Sequence, residues 1–174
     1  MSGNDQEESA AIAAEAARFR AGFRTVVLAT AGADGVPEAS YAPYVTDAAG
    51  QFFVYVSGLA RHTRNLAATG QVDLLFLQEE AATANPFARV RLGYACRAEA
   101  VAHGSEPWAQ TLDHFEREFG NIVAVLRTLP DFRLFRLIPL SARYVRGFGQ
   151  AYVLEGEALS AVRAVGPRTP GGTG

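Results

Sequence analysis

The sequence predicts a β-barrel with flanking helices, an α+β fold, on three observations. Apolar, β-branched and aromatic stretches recur along the chain as six or seven strand-like segments, bounded by Gly, Asp, Asn and Pro. The first three are joined by loops short enough for an antiparallel meander. Short helical stretches are inserted singly, without the regular βαβ alternation of a doubly wound parallel sheet.

The elements follow in order. Residues 1–10 are polar and acidic and read as disordered, and Ala10 to Ala21 is an alanine-rich helix with Ser9 available as its cap. "TVVLATAG" (Thr25 to Gly32) is a strand, "ADGVPEAS" carries Asp34-Gly35 turn chemistry, and "SYAPYVTD" resumes an extended pattern. "DAAG" turns the chain into "QFFVYVS". A helix is predicted over Leu59 to Thr69, with Ser57 as cap and Gly70 as terminator, followed by the strand Val72 to Gln78. Arg89 to Gly104 reads as a long strand with Val90, Leu92, Tyr94, Cys96 and Ala98 on its apolar side. Ser105 caps an amphipathic helix that ends at Gly120, with Trp108, Leu112, Phe115 and Phe119 at helical spacing, and Asn121 to Leu129 is a second short helix. Two strands, Phe132 to Ile138 and Ala142 to Val145, precede the "GFGQAY" segment, and residues 157–174 form a Gly/Pro-rich tail that reads as partly disordered.

A chain of 174 residues fits one domain, here residues 11–156, and no apolar run approaches the ~18 residues a membrane span needs. The polar N-terminus lacks the basic start and apolar core of a signal peptide, which predicts a cytoplasmic protein. Its single cysteine, Cys96, fits that compartment. A net charge of −2 argues against a general nucleic-acid binder. No close His/Cys/carboxylate cluster suggests a metal site. Positive charge is instead local: "SGLARHTRNL" places Arg61, His62 and Arg64 at a helix start, where free backbone N–H groups and the positive end of the helix dipole favour an anion. Arg61 and Arg64 stand three apart on one face, with Leu59 and Leu66 available for the core. A short solvated helix whose arginines serve solubility is the other reading of the same spacing.

The motifs "SYAPYV", "ARHTRNL", "LFLQEEAATANPFARVRL", "EREFGNIV", "LPDFRLFRL" and "VRGFGQAY" occur in this order over Arg20 to Gly156. In this the chain resembles the FMN-binding split β-barrel superfamily of pyridoxamine 5'-phosphate oxidase, and within it the haem-utilisation, HugZ/HutZ-like branch. The resemblance implies a six-stranded split barrel, a homodimer with the ligand site between subunits, and FMN or haem as cofactor. In flavin-binding relatives the segment matching Ser40, Tyr41, Ala42 and Pro43 lies along the flavin, and that matching Tyr55, Val56 and Ser57 contacts it. The pair matching Arg61 and His62, with Arg64 beside it, holds the FMN phosphate. Histidine stands here where the oxidase usually has lysine, which lowers the charge at neutral pH. In the haem branch the same basic segment lies near the haem propionates, and Asp131 matches an aspartate that supports an axial histidine in the C-terminal tail. In some members of that branch this aspartate reaches the histidine from the partner subunit. The histidine has no counterpart here: after "GFGQAY" the tail holds no His, Met, Cys or further Tyr.

These features support an FMN-dependent oxidoreductase-like protein, with a haem-binding or haem-degrading protein of haem utilisation as the alternative and a binding module without chemistry as the third reading. His103 and His114 read as solvated or packed, Glu79 and Glu80 as loop charges, and Cys96 as a small buried side chain. No catalytic acid or base is identifiable.

Overall fold

The computed structural model describes residues 3–165. Its elements are α1 (Gly3–Ala21), β1 (Thr25–Ala31), β2 (Pro37–Thr46), β3 (Phe52–Ser57), α2 (Arg61–Thr69), β4 (Gln71–Leu77), β5 (Arg91–Val101), α3 (Glu106–Phe119), α4 (Ile122–Leu126), β6 (Phe132–Gly147), β7 (Gln150–Glu155) and β8 (Ala161–Ala164). Short 3-10 turns at Glu80–Ala82, Pro86–Ala88 and Glu157–Leu159 complete the connections.

Six strands close into an antiparallel barrel in the order β3-β2-β1-β4-β5-β6, and β6 returns to pair with β3. Closure uses only the first part of β6: Phe132 to Leu137 face Ser57 to Phe52 in β3. Beyond that point β6 leaves β3 and pairs through Ala142 to Gly147 with β7, to which β8 is added as an outer strand. The two strands predicted over 132–145 are thus one strand of 16 residues. Pro139 lies where the β5–β6 register shifts, between Ala95 and Cys96, so a residue without an N–H donor sits at a bulge rather than at a strand end.

Alternation along the strands builds the interior. On β5, Leu92, Tyr94, Cys96 and Ala98 are buried while Arg91 and Arg97 are exposed, as the period-2 reading expects. The barrel is filled by Leu28, Val54, Leu74, Leu92, Leu137 and an aromatic group around Phe52, in which Phe52, Tyr44, Phe76 and Tyr94 meet at ring separations of 5.0–6.0 Å. Helix α1 covers one end through Ile12, Ala16 and Phe19, and it is tied to β6 by a hydrogen bond from Tyr144 Oη to Glu15 (2.9 Å). It begins at Gly3, so the segment expected to be disordered up to residue 10 is helical from that point and Ser9 lies inside the helix. Tertiary burial of one alanine-rich stripe supports a helix that its polar first turns would not hold alone.

A second apolar cluster lies outside the barrel. Val45, Phe53, Tyr55 and Leu134 point away from the interior and are covered by Leu112 and Phe115 of α3 and Val123 of α4. Strand β3 is therefore buried on both faces, which accounts for its unbroken apolar sequence "FFVYV". Trp108 and Phe119 pack against this cluster as partly buried side chains. Ser105 Oγ accepts the Trp108 N–H at the start of α3 (3.3 Å). The predicted helix over 121–129 is reduced to the five residues of α4. Part of the expected tail forms β8, residues 166–174 lie outside the described residues, and no described helix is long and apolar enough to cross a membrane.

Candidate cofactor site

The basic turn stands at the barrel end opposite α1, where β1 finishes, β2 begins, and β3 leads into α2. The helix starts at Arg61 with Ala60 at the cap position and no side-chain cap, so its first N–H groups are not satisfied by a capping side chain. Ser57, expected to be that cap, is used otherwise. Its Oγ accepts the Leu59 N–H (3.2 Å) and donates to Asp131 Oδ2 (2.6 Å). The same connection is fastened twice more: Gly58 N–H donates to the Asp131 carbonyl (2.7 Å), and Thr63 Oγ1 donates to the Ser57 carbonyl (2.6 Å). Glycine is required at 58 because a Cβ there would lie 2.8 Å from the Asp131 carbonyl oxygen.

Below this turn, α2 is seated by Asn65. Its Nδ2 donates to Thr30 Oγ1 (3.0 Å) and to Glu38 Oε2 (3.1 Å), and Leu66 enters the barrel core. Gly70 ends the helix in the left-handed region at φ 63° and returns its N–H to Leu66 (3.0 Å). Thr30, Glu38, Thr63 and Asn65 are the residues that position the turn. Sequence reading passed over them because none forms a recognisable motif; a polar Thr63 and Asn65 on the side of α2 that also carries Leu66 was the available signal.

The basic side chains separate in role. Arg61 is exposed and makes no hydrogen bond or ion pair among the described residues. Arg64 folds back over the turn and donates from Nη1 to the Leu59 carbonyl (2.9 Å). His62 is half-buried; desolvation pushes its pKa below the usual 6.5, partly opposed by the Glu38 carboxylate. Leu59, expected in the core, is 82% exposed. The helix begins two residues later than expected, and Leu59 remains in the loop above it.

The flanking strand segments alternate rather than presenting one surface. Ala42 and Val56 are buried inside the barrel, and Ser40 shares that side, its Oγ buried without a hydrogen-bond partner in the described structure. Tyr55 points outward under α4 and donates from Oη to the Leu126 carbonyl (3.3 Å). Tyr41 and Pro43 are exposed on the outer face of β2, with Tyr41 opposite Val27 and Pro43 opposite Thr25. Of the sequence-selected residues, the structure thus gathers Ser57, Arg61, His62, Arg64 and Asp131 around one turn, and it disperses Ser40 to Pro43 and Tyr55 to Val56 over two faces.

The other titratable candidates are engaged in packing. His103 packs against Trp108, tilted at 49° with a centroid distance of 4.5 Å, and His114 lies 3.9 Å from Glu118 one turn along α3. Cys96 is buried, and its thiol is pushed up to about 12 by desolvation and the Asp73 charge, which makes it a poor nucleophile.

Two cofactor chemistries can be compared with this donor set. The uncapped helix start, the unpaired Arg61 and the neighbouring Arg64 guanidinium suit a phosphate or a carboxylate equally well. Exposed apolar side chains lie on or next to this turn in the chain: Leu59 on the turn itself, and Leu129 two residues before Asp131. A carboxylate-bearing apolar macrocycle therefore fits the mixture of charge and exposed apolar side chains. Its iron would have no ligand from residues 157–174, which contain no His, Met, Cys or Tyr.

A closed six-stranded antiparallel barrel with a helix at each end and a basic helix start on its rim is a split barrel of the pyridoxamine 5'-phosphate oxidase type. The chain belongs to the pyridoxamine 5'-phosphate oxidase family, whose profile matches residues 12–146. It is 41% identical to "Heme oxygenase HutZ" of Vibrio cholerae over 145 residues, which cover 83% of this chain and 82% of that protein. A crystal structure of HutZ, described as a haem storage protein, superimposes with a TM-score of 0.68 at 41% identity, over 72% of this chain and 87% of that one. Campylobacter jejuni ChuZ superimposes with a TM-score of 0.79 at 32% identity; it covers 90% of this chain, which spans only 63% of ChuZ. An FMN-binding, pyridoxamine 5'-phosphate oxidase-related protein of Nostoc punctiforme shares the fold at 12% identity, with a TM-score of 0.65 over 88% of this chain and 95% of that one.

Proposed function

We propose that this chain is a haem-binding protein of haem utilisation and acts as a homodimer. The observation that carries the reading is the Ser57–Asp131 hydrogen bond, which brings Asp131 onto the same turn as Arg61, His62 and Arg64. That the aspartate and the basic segment, each matched to the haem branch by resemblance, lie on one turn here supports reading them as parts of one site. The 41% identity to a haem oxygenase supports haem over FMN, whereas likeness to flavin-binding members is at the level of fold.

Arg61 and Arg64 would take the carboxylates of haem, and Leu59 and Leu129 its apolar edge. His62 is the imidazole on this turn, and burial favours its neutral form, the one that can ligate a metal. Bound haem would supply the iron centre for any oxygen chemistry; the side chains of this site bind, orient and partly shield it. Residues 157–174 hold no histidine, and HutZ, 41% identical, is described as a haem storage protein; both support holding and transferring haem.

The dimer reading rests on the outer face of β1 and β2. Val27 (38% exposed), Ala29, Ala39, Tyr41 (69% exposed) and Pro43 form an exposed patch of small and apolar side chains in register across the two strands. A second copy covering it would complete a site of which one chain supplies only the rim.

Titration of the purified full-length chain with haemin, followed at the Soret band, and separately with FMN, followed by flavin fluorescence, tests the reading. Saturable haemin binding that weakens in Arg61→Ala supports it. Saturable FMN binding with no haemin response overturns it in favour of the flavin oxidoreductase.

A further inference from the structure

Away from this site, α3 and the barrel border an open cleft of about 530 Å³, within the size range of small-molecule pockets. Val45, Phe53 and Val101, from β2, β3 and β5, supply an apolar floor. The opposite wall is one stripe of α3, with Gln110, His114 and Arg117 at i, i+4 and i+7. None of the residues assigned to the cofactor site lines it.

The charges around the cavity are unequal in what they already hold. Arg136 is paired with Glu99, which also takes Arg97. Asp47 accepts the Gln51 N–H at 2.9 Å, and His114 faces Glu118. Arg117 alone among these has no hydrogen bond or ion pair among the described residues, and the hydroxyl of Thr111, which also lines the cleft, is equally uncommitted. A cavity with an apolar floor and an uncompensated guanidinium at its edge is complementary to a molecule with an apolar body and one negative charge.

We propose that this cavity is a second binding site, for a small amphipathic organic anion such as an aromatic carboxylate or sulfonate. The apolar body rests on Val45, Phe53 and Val101, and the anionic group is taken by Arg117 with the Thr111 hydroxyl. The site is independent of the cofactor reading, because it shares no residue with the turn at Arg61.

The probe is 8-anilinonaphthalene-1-sulfonate, an aromatic sulfonate whose fluorescence rises on burial, titrated into the full chain. One saturable site per chain is expected. Arg117→Glu should weaken it more than 10-fold, and Ala100→Trp, which fills the cavity from an exposed position on β5, should abolish it. Arg61→Ala should leave it within 2-fold. Unchanged binding in both Arg117→Glu and Ala100→Trp, with melting temperatures equal to that of the parent chain, would overturn the proposal, as would loss of binding in Arg61→Ala. Arg117→Lys separates charge from fold: binding retained within about 5-fold sustains the charge requirement, and loss equal to that of Arg117→Glu in a protein with unchanged melting refutes it.

Discussion

Ser57 and Asp131 are 74 residues apart in the chain and 2.6 Å apart in the structure, joined by a hydrogen bond from Ser57 Oγ to Asp131 Oδ2. Ser57 ends β3 and Asp131 precedes β6, so the contact forms where the barrel closes, beside the final β3–β6 pair Ser57 and Phe132. Closure of the barrel and construction of the basic turn are the same event at this point. Whatever loosens one should disturb the other.

Gly58→Ala tests that coupling. Its Cβ would meet the Asp131 carbonyl oxygen at 2.8 Å, a contact that backbone on both sides cannot easily relieve. Destabilisation of about 1–3 kcal/mol is expected, read as a lower urea midpoint. Asp131→Ala removes the acceptor of Ser57 and should cost about 1–3 kcal/mol through the same assay. Parent-like midpoints in both variants would show that closure does not depend on this junction.

Arg61 and Arg64 should differ when haemin is titrated. Arg61 is uncommitted, and its replacement by alanine is expected to weaken binding about 10-fold through loss of a charge-assisted hydrogen bond. Arg64 also braces the turn through the Leu59 carbonyl, so Arg64→Ala should lower the affinity and raise the backbone exchange rate of residues 58–61. Hydrogen exchange by mass spectrometry distinguishes the two: faster exchange of this segment in Arg61→Ala as well would contradict the division of roles.

His62 gives the fold a pH dependence of known sign. Its folded pKa is lowered from 6.5 by burial, so the unfolded chain binds the proton more readily. Its contribution to stability is complete above 6.5 and is lost as the pH falls through 6.5 toward and past the lower folded value. His62→Gln should therefore flatten the loss of stability between pH 7.5 and pH 5.5. An unchanged slope in urea unfolding at these two pH values would show that another group controls it.

Leu112 joins the outer cluster with no exposed surface. Leu112→Ala should cost about 2–5 kcal/mol, the range for a buried leucine replaced by a cavity. The effect should concentrate in α3 and α4, leaving the strands of the inner barrel protected in hydrogen exchange. Uniform loss of protection would mean that the two clusters unfold as one unit.

Much of this molecule was legible along the chain because its information is local. The period-2 alternation of β5, the Ser105 cap of α3, the glycine stop at Gly70 and the concentration of Arg61, His62 and Arg64 at a helix start all lie within a few residues of one another. The absence of a histidine from the tail is likewise a property of sequence alone. Tertiary structure decided the remainder. Residues 132–147 form one strand across Pro139 because a bulge accepts a residue lacking an N–H, and two different partners hold its two halves. Leu59, exposed, belongs to a connection before α2 that is pinned by Asp131, a residue that no local pattern links to it. Strand β3 acquires a second buried face only when α3 and α4 pack on it. Alternation and capping are fixed by bonds a few residues long, whereas strand partners, barrel closure and the meeting of Ser57 with Asp131 depend on contacts between distant segments that exist only once the chain has folded.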